Sequence, residues 1–199
     1  MRTKNNQGEL FSNLEYSNSS NKSIRNISIT AEDLKEWQDN INNYQSQLFK
    51  QSKFMPKQIT MLSNANEEKI DRFNPLKLEP LPINFWRFNN CPHSGPAIYL
   101  VMDHLKELNS NIILYIGETI EAERRWKGEH DCKSYLSCYR EALSIAKLKN
   151  QISIRFWSDV PKDTVARRRL EQLLIRKWLP PFNKETRTRW STPFTSEIT

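Results

Sequence analysis

The stretch that most constrains this chain is IILYIGETIEAERRW, residues 112–126. Ile112, Ile113, Leu114, Tyr115 and Ile116 form an apolar run with the length of a buried strand, and the run stops at Gly117 before a charged, helix-forming segment. Strand, glycine and basic helix in that order suggest a phosphate site, because a glycine turn and a helix start bring backbone and cations close to an anion. Fifteen residues earlier lies a second apolar run, Ala97-Ile98-Tyr99-Leu100-Val101, which also carries a tyrosine at its heart. Two such runs, joined here by DHLKELNSN, usually pair as an antiparallel hairpin.

The pattern continues downstream. Residues 119–127 read as a short helix, and KSYLSCYREALSIAKLK as a longer one with Leu136, Tyr139, Leu143 and Ala146 on one face. In residues 151–157, Ile152, Ile154 and Phe156 alternate with Ser153, Arg155 and Trp157, the pattern of a half-buried third strand. Asp163 is placed to cap a final helix that ends before Pro180, since the residue ahead of a proline is pushed out of helical conformation. The order β-β-α-α-β-α describes an α/β (α+β) domain: a small sandwich with a three-stranded antiparallel sheet flanked by helices. We assign it residues 95–199.

The upstream half reads differently. Residues 1–27 hold six Asn and five Ser with no apolar period, so they cannot bury enough surface to offset the entropy of ordering, and they are expected to be a disordered tail. Residues 28–50 form an amphipathic helix: Thr30 and Asp33 have capping-box spacing, and Leu34, Trp37, Ile41, Tyr44 and Leu48 follow at steps of three and four. Docking onto the downstream domain is the expected use of that stripe over 30–49; self-association or a protein partner are the other uses open to it. Residues 51–94, with Pro56, Pro75, Pro80, Pro82 and Pro92, read as a linker that wraps the domain, its aromatic knot Phe85, Trp86 and Phe88 packing onto it.

Charge follows the motifs. The net charge is +7, and residues 91–199 carry 18 Lys+Arg against 13 Asp+Glu, so +5 of it lies in the motif-bearing half, which points to a polyanionic partner. Three cysteines (Cys91, Cys132, Cys138) without CxxC spacing and only three histidines argue against a structural zinc site or a disulfide framework. No stretch approaches the ~18 apolar residues of a membrane span, so no membrane partner is expected, and a reducing, cytoplasmic setting is the default expectation.

Several of these positions together resemble the GIY-YIG nuclease family over about residues 95–190. The family's first signature stands here as Ala97-Ile98-Tyr99 and its second is intact as Tyr115-Ile116-Gly117. Ten residues after Tyr115, where the family has an arginine on the following helix, comes Arg125; the family's glutamate and the asparagine twelve residues beyond match Glu171 and Asn183. The phrases WKGEHDCKSY, WLPPFNKE and WSTPF look like those of uncharacterised GIY-YIG domain proteins of cyanobacterial type. Three departures stand out: Ala97 replaces the first glycine, the segment between the two tyrosines is longer than in compact members, and Glu118 stands where repair-type members often carry a lysine. An acid at that position weakens the attraction for phosphate.

The resemblance implies a metal-dependent DNA endonuclease, with roles in DNA repair or mobile elements among its better understood branches. Glu171 then holds Mg²⁺ or Mn²⁺, ions that keep several waters and take only one or two protein carboxylates. Arg125 offers a planar donor fork to phosphate oxygens. Tyr99 is the implied general base and Tyr115 its hydrogen-bonding or water-positioning partner, although a phenol of ordinary pKa about 10 serves as a base only where cations lower it. Asn183 orients the site, and His130 is a candidate for proton transfer, though its residue type at such a place is more often structural.

Each residue has a blander reading taken singly. The tyrosines are ordinary strand aromatics. Glu171, three and four residues after Arg168 and Arg167, suits a helix ion pair worth a few tenths of a kcal/mol. The joint spacing favours the nuclease for Tyr99, Tyr115, Arg125, Glu171 and Asn183. The alternative is a catalytically silent nucleic-acid-binding or targeting module of the same fold, which has no need of the carboxylate.

Overall fold

A β-hairpin carries the fold, and its two strands are longer than the apolar runs alone imply. In the computed structural model, which describes residues 29–54, 65–87, 93–128 and 131–193, strand β2 spans Ala97–Leu105 and β3 Ser110–Thr119. They pair antiparallel from Ala97↔Thr119 to Leu105↔Ser110. Most of the long segment between the two tyrosines is therefore ladder, not loop. The chain reverses over residues 106–109, where Asn109 takes φ 46°, a left-handed conformation that asparagine tolerates.

The sheet has four strands in the order β1-β4-β2-β3, not three. Strand β4, Ile152–Trp157, pairs antiparallel with β2, and Leu81–Pro82 forms the short edge strand β1 against Ile154 and Ser153. Two residues are too few to show a period, and proline, which lacks the ladder donor, is tolerated at an edge. Around this hairpin the helices run α1 (Ala31–Phe54), α2 (Ala65–Asp71), α3 (Ala122–Lys127), α4 (Asp131–Ile145) and α5 (Thr164–Trp178).

Each face of the sheet builds a core. On one face Tyr99, Val101, Leu105, Ile112, Leu114 and Ile154 pack with α1, α3 and α4. On the other Ile98, Leu100, Met102, Ile113, Ile116 and Trp157 pack with Leu170, Leu174, Ile175 and Trp178 of α5. Asp163 accepts the Ala166 N–H at 2.7 Å to start α5, and Leu179, at φ 45°, ends it ahead of Pro180. A buried polar pin ties the layers: Asp103 accepts the Tyr139 hydroxyl and the Gln151 N–H, both at 2.9 Å, and Gln38 of α1 donates to the Tyr139 oxygen at 2.5 Å. Burial raises the Asp103 pKa, and the two donors offset part of that rise.

The N-terminal helix docks. Thr30 and Asp33 form the expected reciprocal cap, at 3.2 and 3.1 Å, and Leu34, Trp37 and Ile41 are buried against the domain. Tyr44 and Leu48 are half-buried at the rim. Residues 65–87 wrap β4 and carry more structure than a linker: Phe73 stacks on Trp157 with ring centroids 4.3 Å apart, and Arg155 donates to the carbonyls of Pro75, Leu76 and Leu78. Strand β4 thus lies between β1 and β2 with Ile154 and Trp157 buried and its other side chains half-buried, in keeping with its alternation. Phe85 and Trp86 pack on Trp126; Phe88, the 1–27 tail, Cys91 and His130 lie outside the described residues.

Candidate active site

The expected site residues approach from three elements, and an irregularity in β3 decides their geometry. Val101 pairs with Tyr115 but Met102 with Ile113, which leaves Leu114 as an extra residue, a β-bulge. In a regular strand Tyr115 would share the face of Ile113, which packs towards α5; past the bulge it packs with Leu114 on the face of Tyr99. The two rings lie stacked with centroids 6.0 Å apart. Gly117 faces Tyr99 across the ladder, and a Cβ there would meet the Tyr99 Cζ and hydroxyl at 2.5 Å and Tyr115 Cε1 at 2.9 Å. Glycine here is a space requirement. Gly117→Ala is expected to displace the tyrosine rings at a cost of about 1–3 kcal/mol, seen as a lowered Tm and shifted tyrosine ring signals in NMR.

Arg125 joins the pair from α3. Trp126 is fully buried, edge-on to Tyr99 at 5.7 Å and to Phe85 at 6.3 Å, and stacked on Trp86. Lys133 donates to the carbonyls of Trp126 and Gly128 and closes the end of the helix. So seated, α3 directs the Arg125 guanidinium to hydrogen-bond the Tyr99 hydroxyl, while Tyr99 in turn hydrogen-bonds Tyr115. Arg124, its neighbour, is exposed. Burial pushes the Tyr99 phenol well above its usual value, with the Tyr115 and Cys132 charges adding to the rise and Arg125 opposing it. Tyr115 is also raised, by burial first, and Tyr99 and Arg125 oppose that rise. Both phenols are neutral in this state.

Glu171 reaches the site around the free edge of β3. Its carboxylate accepts the Glu118 backbone N–H and is electrostatically coupled to Tyr115. Burial and the Glu118 charge raise its pKa to about 7. The expected helix ion pair is absent as such, because Arg167 and Arg168 turn to Glu118 instead, at 2.9 and 3.1 Å. Arg167 is fully buried and also donates to the carbonyls of Pro161 and Lys162, so the acid at 118 is held in an ion pair from beneath. Asn183 sits behind the same edge: its side-chain oxygen accepts the Ile116 N–H at 2.9 Å and its amide donates to the Ile116 carbonyl at 2.8 Å. Its contact is with the strand that presents Tyr115 and Gly117.

A groove of about 470 Å³ opens beside this cluster, lined by Arg124, Arg125 and Arg168 with Glu118 and Glu121. Arg168 is the member that spacing did not single out; the only trace of it in the sequence is the Arg167-Arg168-Arg169 triplet. Among the described residues no group of three or more His, Cys, Asp or Glu converges to hold a metal. A cation held at Glu171 would take one or two protein carboxylates and fill the rest of its shell with water, as Mg²⁺ accepts. The donor fits: burial and the Glu118 charge raise this carboxylate, and the Arg168 cation offsets only part of that rise.

The stacked tyrosines of the hairpin, Arg125 of α3 and the half-buried carboxylate of Glu171 on α5 gather beside a groove lined by three arginines in a small α+β domain. Residues 96–185 match the family model of the GIY-YIG catalytic domain, a family of nucleases, typically endonucleases, that generally use divalent metals. No curated protein and no solved structure matches the chain. Among the described residues no helix is long and apolar enough to cross a membrane.

Proposed function

We propose that this protein is a metal-dependent endonuclease that hydrolyses phosphodiester bonds in DNA. The observation that carries the reading is the meeting of the Arg125–Tyr99–Tyr115 hydrogen-bonded chain with Glu171 beside an arginine-lined groove. A module that only binds nucleic acid has no use for a half-buried carboxylate whose pKa is raised to about 7. Mg²⁺ or Mn²⁺, when held by Glu171, supplies Lewis-acid stabilisation of the scissile phosphate and an acidified water.

The chain's own groups do the rest. Arg125 has five donors, so it holds the Tyr99 hydroxyl and still offers a pair of N–H groups to the phosphate that gains charge in the transition state. The two tyrosines divide their roles by exposure. Tyr99 is 1 % exposed, and its proton is the harder to remove; Tyr115 is half-buried and can receive the Tyr99 hydrogen bond when it carries charge. We therefore place proton acceptance from the attacking water at Tyr115 as its phenolate, the form left once cations in the loaded site have drawn its own proton off to solvent, and assign Tyr99 to relay the Arg125 charge, the reverse of the order implied by resemblance. Arg124 and Arg168 attract the flanking backbone. Cyanobacterial-type relatives and a role in repair or mobile elements belong to the same reading, supported by the resemblance alone; the cytoplasmic setting rests on the cysteine pattern.

Incubating the protein with plasmid, flapped, branched and single-stranded DNAs in Mg²⁺, Mn²⁺ or EDTA tests it. Nicking in metal that stops in EDTA is expected; binding without cleavage of any substrate selects the silent module. DNA affinity should also fall steeply with salt as phosphate counterions are released, with a log–log slope of about −0.9 per phosphate neutralised. Affinity unchanged from low to physiological salt removes nucleic acid as the partner.

A further inference from the structure

The free edge of β3 shows which part of the molecule sets the bulge. In a regular strand the N–H and C=O groups turned away from the pairing partner recur every second residue, so Ile113, Tyr115 and Gly117 would present theirs outward. The outward groups here belong instead to Ile113, Ile116 and Glu118. The three-residue step between Ile113 and Ile116 is the mark of the extra Leu114. Tertiary partners meet this edge around the bulge. Asn183 takes both Ile116 groups, Glu171 takes the Glu118 N–H, and the Phe182 N–H donates to the Leu114 carbonyl at 3.0 Å.

The remaining partner comes from α1, outside the matched residues 96–185. Gln45 is fully buried; its Oε1 accepts the Ile113 N–H at 2.6 Å, and its Nε2 donates to the carbonyls of Ile113 at 3.1 Å and Trp178 at 2.9 Å. One amide thus satisfies both outward groups of Ile113, the residue just before the bulge, and the last turn of α5, the helix that carries Glu171. It acts as a one-residue strand. Without it, β3 has no partner on that side, and a buried N–H and two carbonyls lose their bonds.

We propose that Gln45 is a positioning residue of the active site: by pinning Ile113 to the end of α5 it fixes the bulge that turns Tyr115 onto the face of Tyr99. The N-terminal helix is on this account a working part of the catalytic unit. The kinetic half of the proposal rests on the nuclease reading; the geometric half does not. Asn42, one turn earlier on α1, is the internal control, because it accepts the Ser110 hydroxyl at 2.6 Å at the far end of β3 and touches none of the site residues.

The experiment compares Gln45→Met, Gln45→Asn and Asn42→Ala in the full chain. Methionine keeps the volume without the hydrogen bonds, and asparagine keeps an amide of shorter reach, so that one variant folds even if the other does not. Three readouts are taken at matched fractions folded: Tm, the ¹³C-tyrosine ring signals with Tyr115 assigned from Tyr115→Phe, and single-turnover cleavage of supercoiled plasmid in Mg²⁺. All three variants lose Tm. Only the Gln45 variants shift the Tyr115 ring signals, and their kcat falls about tenfold or more with KM little changed, the scale of a small misplacement of a reacting group. Tyr115 signals at their wild-type positions in both Gln45 variants overturn the proposal, as does a shift with undiminished kcat. A Tyr115 shift in a protein whose wild type cuts no DNA instead leaves the geometry standing and defeats the nuclease reading.

Discussion

Glu171→Gln is expected to lower Mg²⁺-dependent strand cleavage by about 10³-fold while leaving DNA binding intact, since it removes the carboxylate that receives the cation and keeps the side chain's shape. The raised pKa adds a second signature that a merely damaged fold does not give. A glutamate lifted from 4.5 to about 7 binds its proton more tightly in the folded than in the unfolded chain. Its contribution to stability is present below pH 4.5 and is lost as pH rises through about 7. Above that pH the metal-free wild type carries the cost of a buried anion, on the order of 2–3 kcal/mol at most, and Glu171→Gln does not. The variant should therefore melt higher than the wild type at pH 8 in EDTA, by about 2–4 °C per kcal/mol relieved, and the two should converge near pH 4. Added Mg²⁺ should raise the wild-type Tm and leave the variant's unchanged. A variant that melts below the wild type at pH 8, or that cuts DNA at the parental rate, excludes Glu171 as the cation's ligand.

Much of this site was legible in residue order, and what was not has a common cause. Tyr99, Tyr115, Arg125 and Glu171 were placed by their resemblance to the GIY-YIG family's motifs, and the structure brings their side chains to one region. Strands and helices also followed their periods, because each buries a face of its own: Leu34, Trp37 and Ile41 on α1 sit in the core as their spacing implies. What spacing does not reveal is who satisfies a backbone group from afar. The bulge at Leu114 leaves no local trace, since Ile113 through Ile116 read as an unbroken apolar run whichever face each residue takes. Gln45 looks like a polar interruption of an amphipathic stripe, yet it is buried because β3 lacks a neighbour on that side. Likewise Glu118 looked like an acid set against phosphate; Arg167, forty-nine residues on, absorbs its charge. Strand β1 escaped notice because two residues carry no period, and Asn183 was found by its spacing from Glu171 while its bonds to the backbone of Ile116 were not.

Arg125→Ala is expected to be nearly inactive even at saturating DNA, whereas Arg124→Ala should recover most of its rate when DNA is raised. The two residues lie about 100° apart around the helix, so one phosphate cannot meet both equally. The structure adds a physical asymmetry. Arg125 hydrogen-bonds the Tyr99 hydroxyl and stands next to Trp126, whose indole is fully buried against that same tyrosine. Both arginines are exposed and line the groove, so the difference lies in the bond to Tyr99 and not in exposure. Loss of Arg125 removes a donor aimed at developing charge, an effect of about 10²-fold or more on the chemical step. It also removes the cation that most opposes the rise of the Tyr99 phenol. If Tyr115 accepts the proton through the Tyr99 relay, the limb of the pH–rate profile that reports the tyrosine pair should move to higher pH in Arg125→Ala and stay in place in Arg124→Ala. Loss of Arg124 removes long-range attraction only, so its defect should appear in KM and in the salt slope, lowered by about one counterion. Single-turnover rates that fall more for Arg124→Ala than for Arg125→Ala would shift the catalytic face of α3 by one residue and separate the guanidinium that holds Tyr99 from the one that meets the phosphate.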